Sequence, residues 1–295
     1  MSAPDAASAA GAPAVPARKL GALRALLRSP SGAVGLAIVL ILVIAAVFAP
    51  LIAPHDPFRM AAGPRLSPPS LDHLMGTDQL GRDVFSRIIY GARLTLQIGV
   101  IAVGISLTAG LLLGLVAGYA GGWPERILMR LVDVLFSFTE IVIALACLAI
   151  LGVGLVNAMI AIGIASIPFY ARITHSVVLV EKNKPYFEAA VAAGASRLRL
   201  IFIHLLPNVI PTLIVVGTLG VSTAVLAAAG LSFLGLGAQP PQPEWGFMLS
   251  SSRDLISRAP WMMIFPGLAI AITVLGFNLL GDGVREVLDP RQRVR

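Results

Sequence analysis

The chain has 295 residues, of which 57% are hydrophobic and only 13% charged, a balance too apolar for a soluble domain of ordinary composition. Its formal charge of +7 does not make it a nucleic-acid binder, because the Lys and Arg residues cluster beside apolar runs instead of forming one basic face. The single cysteine, Cys147, lies inside an apolar run, which excludes a disulfide framework and a Cys-based metal cluster.

Several runs reach the roughly 20 residues needed to cross a bilayer. They are continuous stretches of Leu, Ile, Val, Ala and Gly without period-2 alternation. Of the two structures that satisfy their backbone inside lipid, helices fit this pattern and a closed barrel does not.

Residues 1–31 read as a disordered cytoplasmic tail, rich in Ala, Pro, Ser and Gly as far as Ala17, followed by a basic flank with Arg18, Lys19, Arg24 and Arg28. The run 32–53 is too long for the core of a cleaved signal and reads as a retained first transmembrane helix. Residues 54–92 turn polar and proline-rich and read as an external loop ending in a short amphipathic helix, Asp83 to Ala92. Residues 93–281 supply five further spans: Leu94 to Tyr119, Leu128 to Leu151, Val156 to Val178, Val209 to Leu234 and Trp261 to Leu280. Residues 282–295 form a cytoplasmic C-terminal tail. Six spans put both ends inside, and the inside segments then hold most of the 22 Lys and Arg residues, as the positive-inside rule requires.

Between the fourth and fifth spans, residues 180–208 are too polar to cross and too patterned for a random linker. Lys184-Pro185 suits a helix start and Gly194 a left-handed helix end. Ser196 suits the N-cap of a second helix, Arg197 to Leu206, which Pro207 stops. The small side chains of Ala189, Ala190, Ala192 and Ala193 would let a partner's groove approach the backbone. Glu188 suits the helix dipole and equally a basic partner. Taken alone, the segment is either a docking element or a connector lying on the headgroups.

The residues Glu188-Ala189-Ala190, Gly194 and Ile203 through Leu206-Pro207 resemble the coupling loop of binding-protein-dependent ABC importers. His73-Leu74-Met75-Gly76-Thr77-Asp78-Gln79-Leu80-Gly81-Arg82-Asp83, Leu231-Ser232-Phe233-Leu234-Gly235-Leu236-Gly237, Pro243-Glu244-Trp245-Gly246 and Asn278-Leu279-Leu280-Gly281-Asp282-Gly283 are similar to the second permease subunit of the dipeptide, oligopeptide and nickel importer family. The resemblance covers roughly Arg28 to Arg291. It implies an all-α membrane protein with the type I ABC importer permease fold: six transmembrane helices and a cytoplasmic coupling-helix loop. It also implies a homologous permease subunit, two ATPase subunits docked at Glu188, Ala189, Ala190, Gly194, Ser196 and Pro207, an external substrate-binding protein, and surrounding membrane lipid. The chain departs from that pattern at Thr139 and Glu140, where a proline is frequent, and at Ala193, where a larger apolar residue is common.

Other residues carry weaker expectations. Asp133 and Glu140 are seven apart, on nearly one face of a helix. Asp133 can pair with Arg130, which leaves Glu140 to line the pore or a subunit seam. Gly110, Gly114 and Gly118 recur at the spacing that lets helices approach closely. Thr77, Asp78, Arg82 and Asp83 either touch the binding protein or, as Thr77 or Asp78, cap the following helix; the Pro240 to Trp245 segment is a stiff loop with an interfacial tryptophan.

No Gly-x-x-x-x-Gly-Lys-Ser/Thr loop and no His-Glu-x-x-His pair occurs, and His55, His73, His175 and His204 are dispersed. No catalytic residue, cofactor or metal is therefore expected on this chain. The rival readings are an ion-coupled secondary transporter, which would need ion ligands at the midplane, and a structural membrane scaffold.

Overall fold

The computed structural model describes residues 19–288. The tail expected over 1–17, Arg18, and Asp289-Pro290-Arg291 lie outside the described residues. Among the described residues there is no strand, only an isolated bridge between Thr77 and Asp83. Five helices are long and apolar enough to cross a membrane, and a bent pair makes a sixth candidate span.

The basic flank is not irregular. Lys19–Arg28 forms helix α1, and Ser29 then caps α2, Pro30–Val47, by accepting from the Gly32 N–H. The first span breaks at Phe48 and resumes as α3, Ala49–Ile52, because Pro50 has no N–H to continue the ladder. The packing of α2 inverts that of a soluble helix. Gly32, Gly35 and Ala46 are buried while Leu40, Ile41, Ile44 and Val47 are exposed. In lipid, small residues face neighbouring helices and large apolar ones face the solvent hydrocarbon.

The separate amphipathic helix expected before the second span does not exist as such. Helix α4 runs unbroken over Val84–Ala120, since nothing between Ala92 and Leu94 stops a helix. Arg93, at the expected boundary, donates instead to the Ala46 and Val47 carbonyls at the end of α2 (3.2 and 3.4 Å). The third span departs further. It is two helices, α5 (Gly122–Phe136) and α6 (Glu140–Leu151), meeting at 92°. At the elbow the Ser137 hydroxyl donates to the Val134 carbonyl at 2.6 Å, and Thr139 turns extended. A hydroxyl that captures a helix carbonyl competes with the backbone ladder.

Helix α7, Leu155–Lys182, makes the most extensive contact in the bundle, against α4. The glycine stripe of α4 is what permits it. Gly110 lies under Tyr170 and Ala171, Gly114 under Ala171 and Thr174, and Gly118 under Val178, each too close for a Cβ.

A short helix α8 (Pro185–Ala192) follows, then α9 (Arg197–Arg199), a π turn at Leu200–Leu205 and α10 (Leu206–Phe233). Pro207 does not stop this helix, contrary to the sequence reading. The Leu206 N–H bonds to the Ile201 carbonyl, five residues back. The wide turn delivers the proline to the first turn of the next α-helical segment, where no N–H is needed. Residues 197–233 are therefore one continuous rod.

The Pro240 to Trp245 segment leads into an unforeseen helix, α11 (Trp245–Ser252). Trp245 is not interfacial: it is 1% exposed and donates to the Ile88 carbonyl at 3.0 Å. Finally α12, Trp261–Leu288, carries helix past residue 282, where a tail was expected, and packs along α2.

Candidate functional site

Three places in the bundle hold the residues singled out by the sequence. The loop between α7 and α10 lies at the end of the bundle opposite the 53–83 loop. Its α8 begins with Pro185 in the first turn and ends in a Schellman turn: Gly194, at φ 76°, donates to the Val191 carbonyl and Ala195 to the Ala190 carbonyl (3.0 and 3.1 Å). Ser196 then caps α9 by accepting from the Arg199 N–H at 3.4 Å. Phe187 is the anchor, buried against a cluster that includes Leu200, Leu205 and Val209. Burying a side chain of that size contributes about 2 kcal/mol.

With Phe187 turned inward, Glu188, Ala189, Ala192, Ala193, Gly194 and Ser196 face outward and Ala190 is half-buried. No atom lies within 4 Å of a Cβ built on Gly194. Exposed Val191, Leu198, Phe202 and Ile203 flank this strip. Pro207 is exposed on the same segment.

Polar links fasten the strip to the bundle. Glu181, 6% exposed, accepts from Lys184 Nζ at 2.5 Å and from the Tyr186 hydroxyl at 2.6 Å. Asn208 donates to the same hydroxyl at 3.2 Å. Burial, reinforced by Glu181, pushes the Tyr186 phenol up to about 12. Tyr186 is thus a proton donor across the physiological range.

The second place is the elbow. Glu140 opens α6, and Ser166 on α7 donates to its carboxylate. Glu140 lines two adjoining cavities. One, of about 140 Å³, is bordered by Ser106, Tyr170, Gly220 and Thr223; the other, of about 220 Å³, by Phe136, Phe138, Pro168 and Phe169. Asp133 does not share its helix face, because the 92° bend intervenes. Nor does Asp133 pair with Arg130; it accepts from Arg172 on α7 at 2.6 Å, whose guanidinium stacks 4.1 Å above the Phe136 ring.

The third place is the 53–83 loop. Thr77 and Asp83 are fully buried, Asp78 is 5% exposed, and the Arg82 side chain 12%. Thr77 donates to the Pro64 carbonyl at 2.5 Å and accepts from the Ser67 N–H. Asp78 accepts from the backbone N–H groups of Leu80 and Arg82 and from Arg82 Nε at 2.6 Å. The cap of α4 is Asp83, accepting from the Ser86 N–H at 2.8 Å, and neither Thr77 nor Asp78. Thr77, Asp78 and Asp83 build the loop from within, and Arg82 is half-buried beside them. Among its outward side chains are the large apolar Phe58, Met60, Leu71, Leu74 and Leu80, which sequence reading passed over. Large apolar residues scattered through a proline-rich polar stretch were the available signal.

Arg87 ties this loop to the segment that precedes α11, which Glu244 caps. Arg87, 1% exposed, donates to the carbonyls of Pro57, Pro241 and Gln242. Glu244 caps α11, accepting from the Gly246 and Phe247 N–H groups at 2.9 and 2.8 Å. Burial pushes its carboxyl above the usual range, and those two N–H groups oppose the shift.

Residues 110–294 match the family described as binding-protein-dependent transport system inner membrane component. Residues 21–69 match the N-terminal TM domain of oligopeptide transport permease C. The dipeptide transport system permease protein DppC of Alkalihalophilus pseudofirmus is 46% identical over 92% of this chain and 90% of its own length. The di/tripeptide transport system permease protein DppC of Pseudomonas aeruginosa is 49% identical over 87% of each. The glutathione transport system permease protein GsiD of Pectobacterium atrosepticum is 45% identical over 86% of this chain and 84% of its own. Among solved structures, the inward-facing MetNI methionine ABC transporter superposes with a TM-score of 0.58 at 22% identity, over 68% of this chain and 96% of that one. The chain belongs to the binding-protein-dependent transport family: it is a multi-pass inner-membrane permease subunit of an ABC importer, itself non-catalytic, whose family works with a separate ATPase and a substrate-binding protein.

Proposed function

We propose that this permease pairs with a homologous permease subunit to form the path, that two ATPase subunits dock on the 180–208 loop, and that an external binding protein delivers a di- or oligopeptide or a related small peptide-like solute. Both termini face the cytoplasm. The names of the relatives support the solute class, and the charge distribution supports the orientation.

The observation that carries the docking reading is the outward strip of Glu188, Ala189, Ala192 and Ala193 held by inward Phe187. Small side chains backed by a rigid anchor let a groove close on the helix backbone. Gly194 and Ser196 set the angle between α8 and the rod of residues 197–233, and Ala190 fills the seam behind them. ATP-driven closure of the ATPases moves α8, and the rod carries that motion past Pro207 into the membrane. This switches a bistable bundle between inward and outward access. Glu140, at the elbow between two cavities, faces the path. The transport cycle proposed for this chain uses no cofactor of its own.

The test is Ala189→Trp in the reconstituted transporter. Ala189 is exposed, so the variant keeps its thermal midpoint, while binding-protein-stimulated ATP hydrolysis no longer drives uptake. Coupled uptake at the wild-type rate would overturn the docking assignment.

A further inference from the structure

The geometry points to a transition-metal site at the mouth of the permease, formed by His55, His73 and Asp83 and suited to a divalent ion such as Zn(II). The ligand atoms of these residues all lie within 4.8 Å of one another. His73 Nδ1 is 3.0 Å from Asp83 Oδ1, and His55 Nδ1 is 3.9 Å from Asp83 Oδ2. Around a tetrahedral ion with bonds of about 2.0–2.1 Å, ligand atoms sit about 3.3 Å apart. The widest separation has to close from as much as 4.8 Å to about 3.3 Å, which rotation of the partly exposed His55 side chain can supply.

Protons alone leave the arrangement incomplete. His73 answers one oxygen of Asp83 and the Ser86 N–H answers the other. His55 Nδ1 is buried and has no hydrogen-bond partner, a state that costs roughly 1–3 kcal/mol. A cation between the two imidazoles and the carboxylate satisfies that nitrogen and adds positive charge beside a carboxylate with no solvent contact. An ion bound at His73 Nδ1 takes the neutral ring with its one proton on Nε2, so the His73–Asp83 hydrogen bond is exchanged for two bonds to the ion.

The main chain that carries the two imidazoles is fixed: Ser86 accepts from the backbone N–H of His55 and Ser70 from the backbone N–H of His73, each at 3.1 Å. Gly63 lies directly against His73 Nε2, with no room for a Cβ, so the ring presents Nδ1 to the centre. The side chain of His55 is 30% exposed, which gives an ion a way in from solvent. Two imidazoles and one carboxylate favour zinc, nickel or copper over calcium or magnesium. The three ligands lie 18 and 10 residues apart, so dispersal in sequence hides them. The ion would staple the loop to the first turn of α4.

The experiment titrates Zn(II) and Co(II) into the assembled transporter, purified on a tag without histidine and stripped with EDTA, with calorimetry and the thermal midpoint as readouts. One ion binds per copy of this chain, and Zn(II) raises the midpoint. His55→Gln, which leaves the His73–Asp83 bond in place, weakens binding more than about 100-fold and abolishes the zinc-dependent rise without altering the metal-free midpoint. His73→Gln also loses the ion. Absence of stoichiometric binding to the wild-type transporter overturns the proposal, as does undiminished binding to His55→Gln.

Discussion

Lys182, the last residue of α7, reaches the end of a different helix: its Nζ lies 2.9 Å from the carbonyl of Gly118 and 3.1 Å from that of Tyr119. These are orphan carbonyls at the C-terminus of α4, where a cation is favoured by the helix dipole. The start of the 180–208 loop is thereby fixed to the glycine-packed contact between α4 and α7. Lys182→Met should lower stability by about 1–2 kcal/mol and reduce uptake per ATP, while Lys182→Arg retains most of both. Thermal midpoints and the uptake-to-hydrolysis ratio in proteoliposomes test this; equal ratios in all three proteins would dismiss the tie.

The α4–α7 seam predicts an opposite outcome at two glycines of one helix. Gly114 has backbone and Thr174 where a side chain would go, whereas nothing lies within 4 Å of a Cβ at Gly104. Gly114→Leu should destabilise by about 3 kcal/mol or more, as overpacking does, and prevent assembly. Gly104→Leu should be close to neutral. Detergent-solubilised yield by size-exclusion chromatography separates them, and equal yields would contradict the packing.

Glu140→Gln keeps an acceptor for the Ser166 hydroxyl and removes only the charge. If the carboxylate meets a cationic group of the passing solute, transport KM rises roughly tenfold, the scale of one charge-assisted hydrogen bond, with thermal midpoint unchanged. An unaltered KM for peptides with a free amino terminus would remove Glu140 from the path.

Glu244 sets a pH dependence. Its folded-state carboxyl is raised by burial above the ordinary value, so the folded state holds its proton more tightly than the unfolded chain. Its contribution to stability is therefore greatest below the ordinary carboxylate range and declines as pH rises through the raised value. Glu244→Gln removes that titration. The midpoint difference between wild type and variant should shift toward the variant as pH rises from about 4, and a constant difference would refute this.

The membrane class, the number of spans and the helix–turn–helix form of the 180–208 loop were legible from run length, charge sidedness and the Pro185, Gly194 and Ser196 punctuation, because each is a local property of the backbone. Pro207 was misread for a physical reason. A proline stops an α-helix, but the π turn before it depends on how Leu200, Leu205 and Val209 pack under Phe187, which no local rule encodes. The elbow at Ser137–Thr139 was hidden in the same way, since the run 128–151 is apolar on both sides of it. Thr77, Asp78, Arg82 and Asp83 left two readings open in the sequence, a partner contact or a helix cap; Thr77, Asp78 and Asp83 are buried and the cap is Asp83, because a loop this long must satisfy its own backbone.

The wide turn at Leu200–Leu205 also governs which changes in chain length the rod can absorb. One residue advances an α-helix by about 100°, so a deletion within 212–216 would rotate the buried face of α10 away from α4 and α7. A deletion within 200–205 would convert the π turn to α-helical winding and leave that face where it is, but it would press the Pro207 ring against the preceding carbonyls. The deletion should therefore assemble only together with Pro207→Ala, and assembly of the single deletion would show that the two are independent.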